Sequence, residues 1–537
     1  MGELFERAKL QGDEREADAV HGMRLDARTA VVNCERATVH LPALRGLRAP
    51  RYVAPLWSDA MTRRLARLAA ALFLASSLHA CGGDDPPRAS DAGAGDGPTS
   101  DSAGSDAPPP QDAGTDGGDG GERTDGGTGC VGERCRIVEI AAGWAFACAR
   151  RENGQIVCWG ANANGELGDG RMRHPGGDCT PAEEPTPQDC SADPVTVREI
   201  TDARALGTRG GLSSCAIRMD GSVWCWGLST LPPSTGSDTL VKRFVPERVM
   251  GFGDPVRDIA DAWTHQCAIG MDGSVRCAGN NDSGEIGNGD TMEVRMPARV
   301  LAASAELGAM RDVELGPFSD FSCALSDDDE VFCWGNNDAF QLGDGRNDHF
   351  SCTTGGVTPH DCSPRAVPVD LPDGLTGIAG IAVGSAHACL WTTGGAVHCW
   401  GNNASGQSGG EAPLHSRPQP VAGLVDVVEV AAGGGFSCAR TRGGTVWCWG
   451  GNLYGQLGDG RTDHGTTCNP GMRVIDCSRT PVQVADLDGV VDLAAGPAFA
   501  CALRNDGSVW CWGDNDRKQL GDGTREPRAR PVRVRGL

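Results

Sequence analysis

A short cysteine pattern recurs seven times in the last three quarters of the chain. Its clearest form is Cys-Ala, eight further residues and then Cys-Trp-Gly, so that the two cysteines lie ten residues apart in every copy. The first cysteines of successive copies are separated by 49 to 67 residues, a period typical of solenoids and propellers. The seven pairs are Cys148 with Cys158, Cys215 with Cys225, Cys267 with Cys277, Cys323 with Cys333, Cys389 with Cys399, Cys438 with Cys448, and Cys501 with Cys511.

Each copy also contains a turn midway between its two cysteines. Steps such as Asn153-Gly154 and Asp506-Gly507 suit a three-residue hairpin loop whose third residue takes left-handed backbone angles. With that loop, the two cysteines face each other as a non-hydrogen-bonded pair, within reach of a disulfide. A two-residue loop would place them on opposite faces of the hairpin. The pattern therefore predicts a cross-strand disulfide in every copy and a buried face around it.

The sequence around each hairpin predicts two more strands. A run of small and aliphatic residues precedes the hairpin, as in residues 137–143 and 490–496, and a Gly-rich turn followed by Pro-Val-x-Val comes after it. Seven four-stranded units predict an all-β fold, a seven-bladed β-propeller over residues 130–537. We expect residues 531–534 to complete the first blade, so that the N- and C-terminal strands share one blade.

The combined pattern is similar to a known repeat. Ala-x-Gly before the hairpin, Asp-Gly within it, then Trp-Gly-x-Asn, Gly-Gln-Leu-Gly-Asp-Gly and Pro-x-x-Val resemble the regulator of chromosome condensation repeat across residues 130–537. The resemblance implies a seven-bladed propeller with a protein-binding role. The founding activity of that family is guanine nucleotide exchange on a nuclear GTPase. We do not expect that activity here, because the chain carries an export signal and no insertion that matches an exchange wedge.

Ten cysteines lie outside the blade pairs. Cys34 lies far upstream and Cys81 follows an apolar run, while the other eight form local pairs, three of them in insertions that follow Gly-Asp-Gly-Arg turns. The local pairs are Cys179 with Cys190, Cys352 with Cys362, Cys468 with Cys477, and Cys130 with Cys135. Eleven disulfides are therefore predicted with no free thiol, as in exported proteins. Neither a catalytic cysteine nor a cofactor is expected, and no C-x-x-C spacing supports a metal site.

The region before the repeats has the order of an export signal. A basic run after Met61 is followed by an apolar stretch too short to span a bilayer and by Leu78-His79-Ala80-Cys81. That tetrapeptide resembles the lipobox of bacterial lipoproteins, although His79 departs from it, and the resemblance implies a lipid on Cys81. We assign residues 61–80 to a lipoprotein signal peptide, and residues 1–60 to an over-long gene model or a disordered leader. The expected location is the bacterial envelope, with the outer membrane or cell surface favoured.

Residues 81–129 consist almost wholly of Gly, Asp, Ala, Ser, Pro and Thr, which predicts a disordered tether between the lipid and the propeller. The whole chain carries 71 acidic and 48 basic residues, a formal net charge of −23. Proteins that bind nucleic acid neutralise phosphates with Lys and Arg, so this charge argues against nucleic acid as a partner. The same charge disfavours direct contact with an anionic membrane surface, so we expect membrane attachment only through the lipid.

Candidate binding residues lie in two places. His349 and His464 occur at matching positions of two insertions, which leave from equivalent turns and are therefore expected on one face of the propeller. Their Asp-His steps could belong to a metal site, but we favour surface loop residues and expect no metal. Trp144 and Trp263 precede their blade cysteines by four residues, where other copies have small residues or proline, and both are expected at loops.

These observations favour a non-enzymatic, lipid-anchored, monomeric propeller outside the cytoplasm that binds an unknown protein or surface polymer through insertion loops on one face. An alternative from a different class is a glycan-acting enzyme with carboxylates in the central channel, because a fold alone does not determine function. Nucleotide exchange remains a third alternative by family analogy. No catalytic residue is assigned.

Overall fold

The computed structural model describes residues 31–34, 37–40, 135–180, 187–208, 210–229, 241–303, 307–354, 358–468 and 474–537. Val31–Cys34 and Ala37–His40 form an antiparallel hairpin within a separate unit of the first 54 residues. The predicted signal peptide, the lipidation site Cys81 and the tether lie outside the described residues. No helix that could cross a membrane occurs in the described part of the chain.

From Ile137 onward the chain forms seven antiparallel sheets, one after another, which confirms the all-β seven-bladed propeller. Blade 1 consists of Ile137–Ala142, Phe146–Arg151, Ile156–Ala161 and Cys190–Thr196, and blade 2 of Ala203–Leu206, Ser213–Arg218, Val223–Ser229 and Val241–Val249. Blade 3 consists of Val256–Asp261, His265–Gly270, Val275–Gly279 and Val294–Arg299. Blade 4 consists of Met310–Leu315, Phe321–Ser326, Val331–Asn336 and Thr358–Pro368, with Phe350–Thr354 added at the edge. Blade 5 consists of Ile378–Val383, His387–Thr392, Val397–Asn402 and Leu414–Pro420. Blade 6 consists of Val427–Ala432, Phe436–Thr441, Val446–Gly451 and Ile475–Gln483, with Thr467–Cys468 added at the edge. Blade 7 consists of Val490–Ala495, Phe499–Arg504, Val509–Gly513 and Arg528–Arg533.

The hairpin joining the second and third strands has the predicted three-residue loop. In blade 1 the Arg151 amide donates to the Gln155 carbonyl at 2.8 Å, which closes the loop over the three residues between them. Gly154 has φ +83°, and a Cβ at this position would lie 2.7 Å from the Asp202 Cα of the next blade. Glycine is therefore required both by the backbone conformation and by the close approach of the next blade.

The hairpin register brings the two cysteines of every blade opposite each other, as predicted. The Cα atoms of the seven blade pairs are 4.0 to 4.1 Å apart. The seven disulfides join Cys148 to Cys158, Cys215 to Cys225, Cys267 to Cys277, Cys323 to Cys333, Cys389 to Cys399, Cys438 to Cys448, and Cys501 to Cys511. Each bridge therefore links the second and third strands of its own blade.

The insertions contain bridges of their own, whose Cα atoms are 5.9 Å apart. These disulfides join Cys179 to Cys190, Cys352 to Cys362, and Cys468 to Cys477. Ten of the eleven predicted bridges are thus present in the structure. Cys135 is also disulfide-bonded, while its predicted partner Cys130 lies outside the described residues.

The hydrophobic core lies between blades rather than within them, because each sheet packs its faces against its two neighbours. The Trp of every Cys-Trp-Gly motif is fully buried, and its indole N–H donates to a backbone carbonyl of the preceding blade, as Trp226 does to Glu166 at 2.9 Å. Blade 3 has Ala278 at this position. These Trp residues therefore attach each blade to the one before it, and we call each blade-to-blade interface a seam.

The prediction that the terminal strands share one blade is wrong. Arg528–Arg533 pairs with Val509–Gly513 of its own blade, and the first blade takes its outer strand Cys190–Thr196 from its own sequence. Each repeat already contains four strands, because its inner strand lies before the hairpin and its outer strand follows the Gly-rich turn. The last and first blades meet through side chains instead, as where the Trp159 indole donates to the Gln519 carbonyl at 2.9 Å.

Candidate functional site

Two kinds of loop share one face of the propeller, which we call the loop face. The four strands of each blade are antiparallel and consecutive, so the loop between the first and second strands ends on the same side as the connection between the third and fourth strands. The three insertions belong to the latter connections in blades 1, 4 and 6. They therefore rise from one face, in agreement with the expectation from their equivalent turns.

Trp144, Trp263 and Phe318 form an aromatic cluster on the loop face. They come from the loops that follow the innermost strands of blades 1, 3 and 4. The two indole rings are 6.0 Å apart in an edge-to-face arrangement, and the Trp263 and Phe318 rings are 4.9 Å apart. Both Trp side chains are half-buried, and Phe318 has φ 57°, which is unusual for an aromatic residue. The structure thus brings together two residues that the sequence singled out separately.

Glycines of the blade 2 loop allow the loops around it to approach closely. The Trp144 amide donates to the Gly211 carbonyl at 2.9 Å, so the blade 1 loop lies against the blade 2 loop. A Cβ on Gly210, which has φ +89°, would lie 2.5 Å from the Pro317 side chain of blade 4. Loops of blades 1 to 4 therefore meet where the innermost strands end, and they place the aromatic cluster near the centre of the loop face.

Each insertion histidine lies between two carboxylates and contacts both, an arrangement that we call the brace of the insertion. His349 contacts Asp344 through Nε2 at 2.7 Å and Asp361 through Nδ1 at 3.1 Å, and its ring is almost fully buried. His464 makes the same contacts with Asp459 and Asp476, at 3.0 and 2.7 Å. Both ring nitrogens are occupied in each case, so these two candidates hold their insertions rather than face a ligand.

The first insertion contains the same brace around His174, although its sequence has Arg-His in place of Asp-His. The Nε2 atom of His174 lies 3.0 Å from Asp169 and its Nδ1 lies 2.6 Å from Asp189. Burial disfavours the charged ring, but the hydrogen bonds to the two carboxylates outweigh it and raise the pKa of His174 to about 9. For His349 the hydrogen bond to Asp344 is the main cause that raises the pKa of the ring.

A cavity of about 240 Å³ lies along the axis of the propeller. The innermost strands line it, and its carboxylates are Glu139, Asp312, Glu314, Glu429 and Asp492. Within the described residues, no group of three or more His, Cys, Asp or Glu side chains has the arrangement of a metal site. The glycan-acting alternative would need two of these cavity carboxylates as its catalytic acid and base.

The channel carboxylates connect neighbouring blades. Asp492 Oδ2 accepts from the Ile140 amide across the seam between blades 7 and 1 at 2.8 Å, and Glu139 Oε1 accepts from the Leu206 amide across the next seam at 3.0 Å. Burial and the neighbouring Glu429 carboxylate raise the pKa of Asp492 well above its usual value. The two carboxylates also share a donor, because the Leu493 amide donates to Glu429 Oε1 at 3.3 Å and to Asp492 Oδ1 at 3.1 Å.

The Asp-Gly-Ser-Val-Trp sequence of blade 7 closes the hairpin turn. Asp506 Oδ1 accepts from both the amide and the hydroxyl of Ser508, at 2.9 and 2.6 Å, and the Trp510 indole donates to that hydroxyl at 3.0 Å. These hydrogen bonds lower the pKa of Asp506. The motif is thus a structural turn on the face opposite the loop face.

Sequence reasoning missed two features of the loop face. Phe318 was not singled out, although it completes the aromatic cluster. Ser213, Asp261 and Gln266 were not singled out either, although they form a buried polar group beside the Trp263 loop. The signal that could have found the polar group is departure from the repeat, because the equivalent positions of other blades hold Phe or His, an aliphatic residue, and Ala or Ser, respectively.

Comparison with known proteins agrees with the blade geometry. Two family models described as the regulator of chromosome condensation (RCC1) repeat match the chain, one over residues 137–166, 319–341, 378–407, 427–456 and 490–519, the other over residues 394–440, 443–503 and 506–537. Their matches fall on the inner strands, hairpins and Gly-rich turns described above. The matched blades, blade 1 and blades 4 to 7, are RCC1 repeats.

Individual proteins are similar to this chain in sequence or in fold. The chain is 25% identical over 292 residues to the ultraviolet-B receptor UVR8 of Arabidopsis thaliana, covering 54% of this chain and 58% of that protein. The crystal structure of human WBSCR16 has a TM-score of 0.56 at 20% identity, covering 71% of this chain and 94% of that one. Prp20p from Saccharomyces cerevisiae, described with binding properties to Gsp1p and histones, has a TM-score of 0.53 at 19% identity over 75% and 88%.

RCC1-like propellers bind proteins, and this chain shares their fold. Its ten described disulfides are typical of proteins that fold in an oxidising compartment. The chain spans a little over half the length of UVR8. The similarity therefore supports the fold and a binding role for such propellers in general.

Proposed function

We propose that this RCC1-repeat propeller binds a protein partner through its loop face, with the aromatic cluster as the anchor of the interface. The observation that carries the proposal is the contact among Trp144, Trp263 and Phe318, contributed by three blades to one central surface. Aromatic residues at the centre of a surface are typical of binding hot spots. The braced insertions of blades 1, 4 and 6 form the surroundings of this anchor.

A second part of the proposal concerns location. We propose that the protein is exported and held at the bacterial envelope by a lipid on Cys81, with residues 82–129 as a spacer. Supporting this are the order of basic residues, apolar run and cysteine before residue 82, and the abundance of disulfides after residue 135. The loop face would then be available to partners outside the cytoplasm, and the chain would act as a monomer.

The test compares Trp variants on the two faces. The double variant Trp144→Ala, Trp263→Ala removes most of the aromatic cluster, whereas Trp510→Ala removes a half-buried Trp on the opposite face. Both variants and the parent chain are titrated onto envelope preparations of the source bacterium, treated or not with protease. We expect saturable, protease-sensitive retention that falls at least about tenfold in the double variant and little in Trp510→Ala.

Two results would contradict the proposal. Equal losses in the two variants would show that the loop face is not the binding surface. Retention that survives protease treatment of the envelope but is lost on digestion of its polysaccharides would assign the surface to a polymer rather than a protein. Product release from those polysaccharides by the parent chain would support the glycan-acting alternative instead.

A further inference from the structure

The seven seams follow one packing rule with a single marked exception. The first residue of each second strand packs across the seam near the end of the next blade's innermost strand. In four blades this residue is Phe, as with Phe499, which shares a core cluster with Ala142 and Ala147 of blade 1. In blades 3 and 5 it is a buried His whose Nε2 contacts a Ser hydroxyl of the next blade at 2.8 Å. Only blade 2, among the described seams, has a serine there.

The seam between blades 2 and 3 is polar at all three of its positions. Ser213 replaces the aromatic ring, Asp261 ends the innermost strand where other blades end with aliphatic residues, and Gln266 follows in the second strand. Asp261 Oδ1 accepts from the Ser213 hydroxyl at 3.0 Å and from the Gln266 side-chain amide at 2.6 Å. Asp261 and Ser213 are at most 1% exposed and Gln266 is 2% exposed.

Two oxygen atoms of this group have no hydrogen-bond donor. They are Asp261 Oδ2 and Gln266 Oε1, which belong to two side chains that are directly hydrogen-bonded to each other through Oδ1 and Nε2 at 2.6 Å. Buried acceptors that lack a partner are costly and rare in native structures.

The charge of Asp261 is also uncompensated by the described residues. No Lys, Arg or His of the described chain contacts it, and burial raises its pKa to about 7. Thr208, which pairs with Asp261 as a β-bridge, lines the axial cavity together with Glu139 and Asp312. That acidic cavity concentrates cations directly beside the seam.

We propose that Asp261 and Gln266 bind a small monovalent cation such as K⁺ or Na⁺ within the seam between blades 2 and 3. The ligands supplied by this chain are Asp261 Oδ2 and Gln266 Oε1, and carboxylate and amide oxygens are suitable ligands for hard cations. The cation offsets the buried negative charge of Asp261. This assignment rests on the seam geometry and is independent of the proposed binding function.

The site would stabilise the Trp263 loop, because Asp261 is separated from Trp263 by a single residue. The Asp261 amide donates to the Gly207 carbonyl of blade 2 at 2.7 Å, so the innermost strands of both blades are joined at this point. Occupancy of the site therefore fixes the position from which Trp263 reaches Trp144. A cation-dependent surface is the functional consequence.

The first test is thermal unfolding of the purified full chain in KCl, NaCl or choline chloride at equal ionic strength. A ligand that binds only the folded state raises the midpoint temperature, and we expect an increase of about 2–4 °C in K⁺ or Na⁺ relative to choline. The variants Asp261→Asn and Gln266→Leu should lose this difference. The control Asp272→Asn, an exposed carboxylate in the hairpin turn of the same blade, should keep it.

A second measurement on the parent chain keeps the proposal testable if the variants do not fold. Crystals grown with Rb⁺ should show an anomalous scattering peak about 3 Å from both Asp261 Oδ2 and Gln266 Oε1. No peak, or a midpoint temperature that is the same in all three salts, would overturn the proposal. A midpoint temperature that is the same in all three salts and higher in Asp261→Asn than in the parent chain would also overturn it, and would show that Asp261 is protonated and paired with Gln266.

Discussion

His265 and His387 occupy seam positions that hold Phe in four other blades. Both rings are fully buried, and burial lowers the pKa of each to about 3. A group whose pKa is lower in the folded state than in the unfolded state binds its proton mainly after unfolding. Stability is therefore unaffected above the ordinary pKa of 6.5, and decreases as the pH falls from there towards 3.

Because stability decreases as these buried rings become protonated, the double variant His387→Phe, Ser437→Ala should be less sensitive to acid. The variant reproduces the Phe436 and Ala500 pair of the next seam and removes His387 Nδ1, which has no hydrogen-bond partner. We expect it to unfold at an equal or higher temperature at pH 7, and to retain about 2–3 kcal/mol more stability than the parent chain at pH 4. Chemical denaturation across this pH range measures both effects. Equal losses in variant and parent would contradict the assignment of the acid sensitivity to this ring.

Single residues also show what sequence alone could provide. The cysteine pairs and the hairpin register were predictable, because a glycine at a fixed place in the loop and a spacing of ten residues leave one compatible pairing. The contact between Trp144 and Trp263 was not predictable, since it depends on close approaches at Gly210 and Gly211 in the loop of the blade between them. Asp261 would have needed the rule that the seam positions are apolar, which only the packed structure supplies.

At the scale of elements, the three insertions share one brace built from residues far apart in sequence. In each, an Asn side chain donates to the second Asp of the brace, as Asn162 does to Asp189 at 2.8 Å and Asn452 to Asp476 at 2.8 Å. The sequence revealed the recurring Asp-His steps, but they suggested surface residues because the second carboxylate lies 12 to 15 residues further on. The folded insertion returns that carboxylate to the histidine.

The raised pKa of His174 leads us to expect that the stability of the first insertion depends on pH. The pKa of His174 is raised to about 9, so its contribution is complete below the ordinary pKa of 6.5 and is lost as the pH rises through about 9. Proteolysis of the folded chain should therefore cut this insertion faster above pH 9 than at pH 7. Asp169→Asn should move the onset to lower pH, because it removes one of the two carboxylates that favour the charged ring. Asp178→Asn, a change at an exposed carboxylate of the same insertion, is the matched control.

If the cutting rate of the first insertion followed the same pH profile in Asp169→Asn and in the parent chain, the brace would not hold the insertion. An imidazole titration by NMR gives an independent reading, since the His174 signal should shift with a midpoint near pH 9.

At the scale of the whole molecule, the disulfides should contribute strongly to stability because each blade is thin and has its core at the seams. Each blade bridge closes a loop of about ten residues, for which the chain-entropy model gives about 2–3 kcal/mol. Reduction under native conditions should lower the unfolding temperature markedly. Intact mass spectrometry should find no free thiol in residues 135–537, and a thiol that reacts without denaturant would contradict the pairing scheme.

The proposed anchor gives a separate prediction. Expressed from Met61 in a bacterium that processes lipoproteins, the chain should be cleaved before Cys81, partition into detergent and carry the mass of a lipid at its N-terminus. Cys81→Ser should abolish all three while leaving the propeller folded. Detergent partitioning that is unchanged in Cys81→Ser would contradict the anchor without affecting the binding proposal.

The architecture was predictable in kind, but its closure was not. The repeat period and the strand count predicted seven blades, whereas the pairing of the last strand could not be read from a Pro-Val-x-Val segment that suits either blade. In the structure, Arg528–Arg533 pairs with its own hairpin, and within the described residues blade 7 is joined to blade 1 by side-chain packing and individual hydrogen bonds.

The propeller is consequently a split ring. Its two ends meet at the junction of blades 7 and 1, where no described strand of one blade pairs with a strand of the other. A load applied between the ends would be borne by the Trp159 and Asp492 contacts and by the packing around them. The hydrogen bonds that Arg136 donates to the Asn505 carbonyl and Arg517 donates to the Cys179 carbonyl would share it. If the proposed tether pulls on blade 1 while a partner is held on the loop face, this junction is the place where the ring would begin to open.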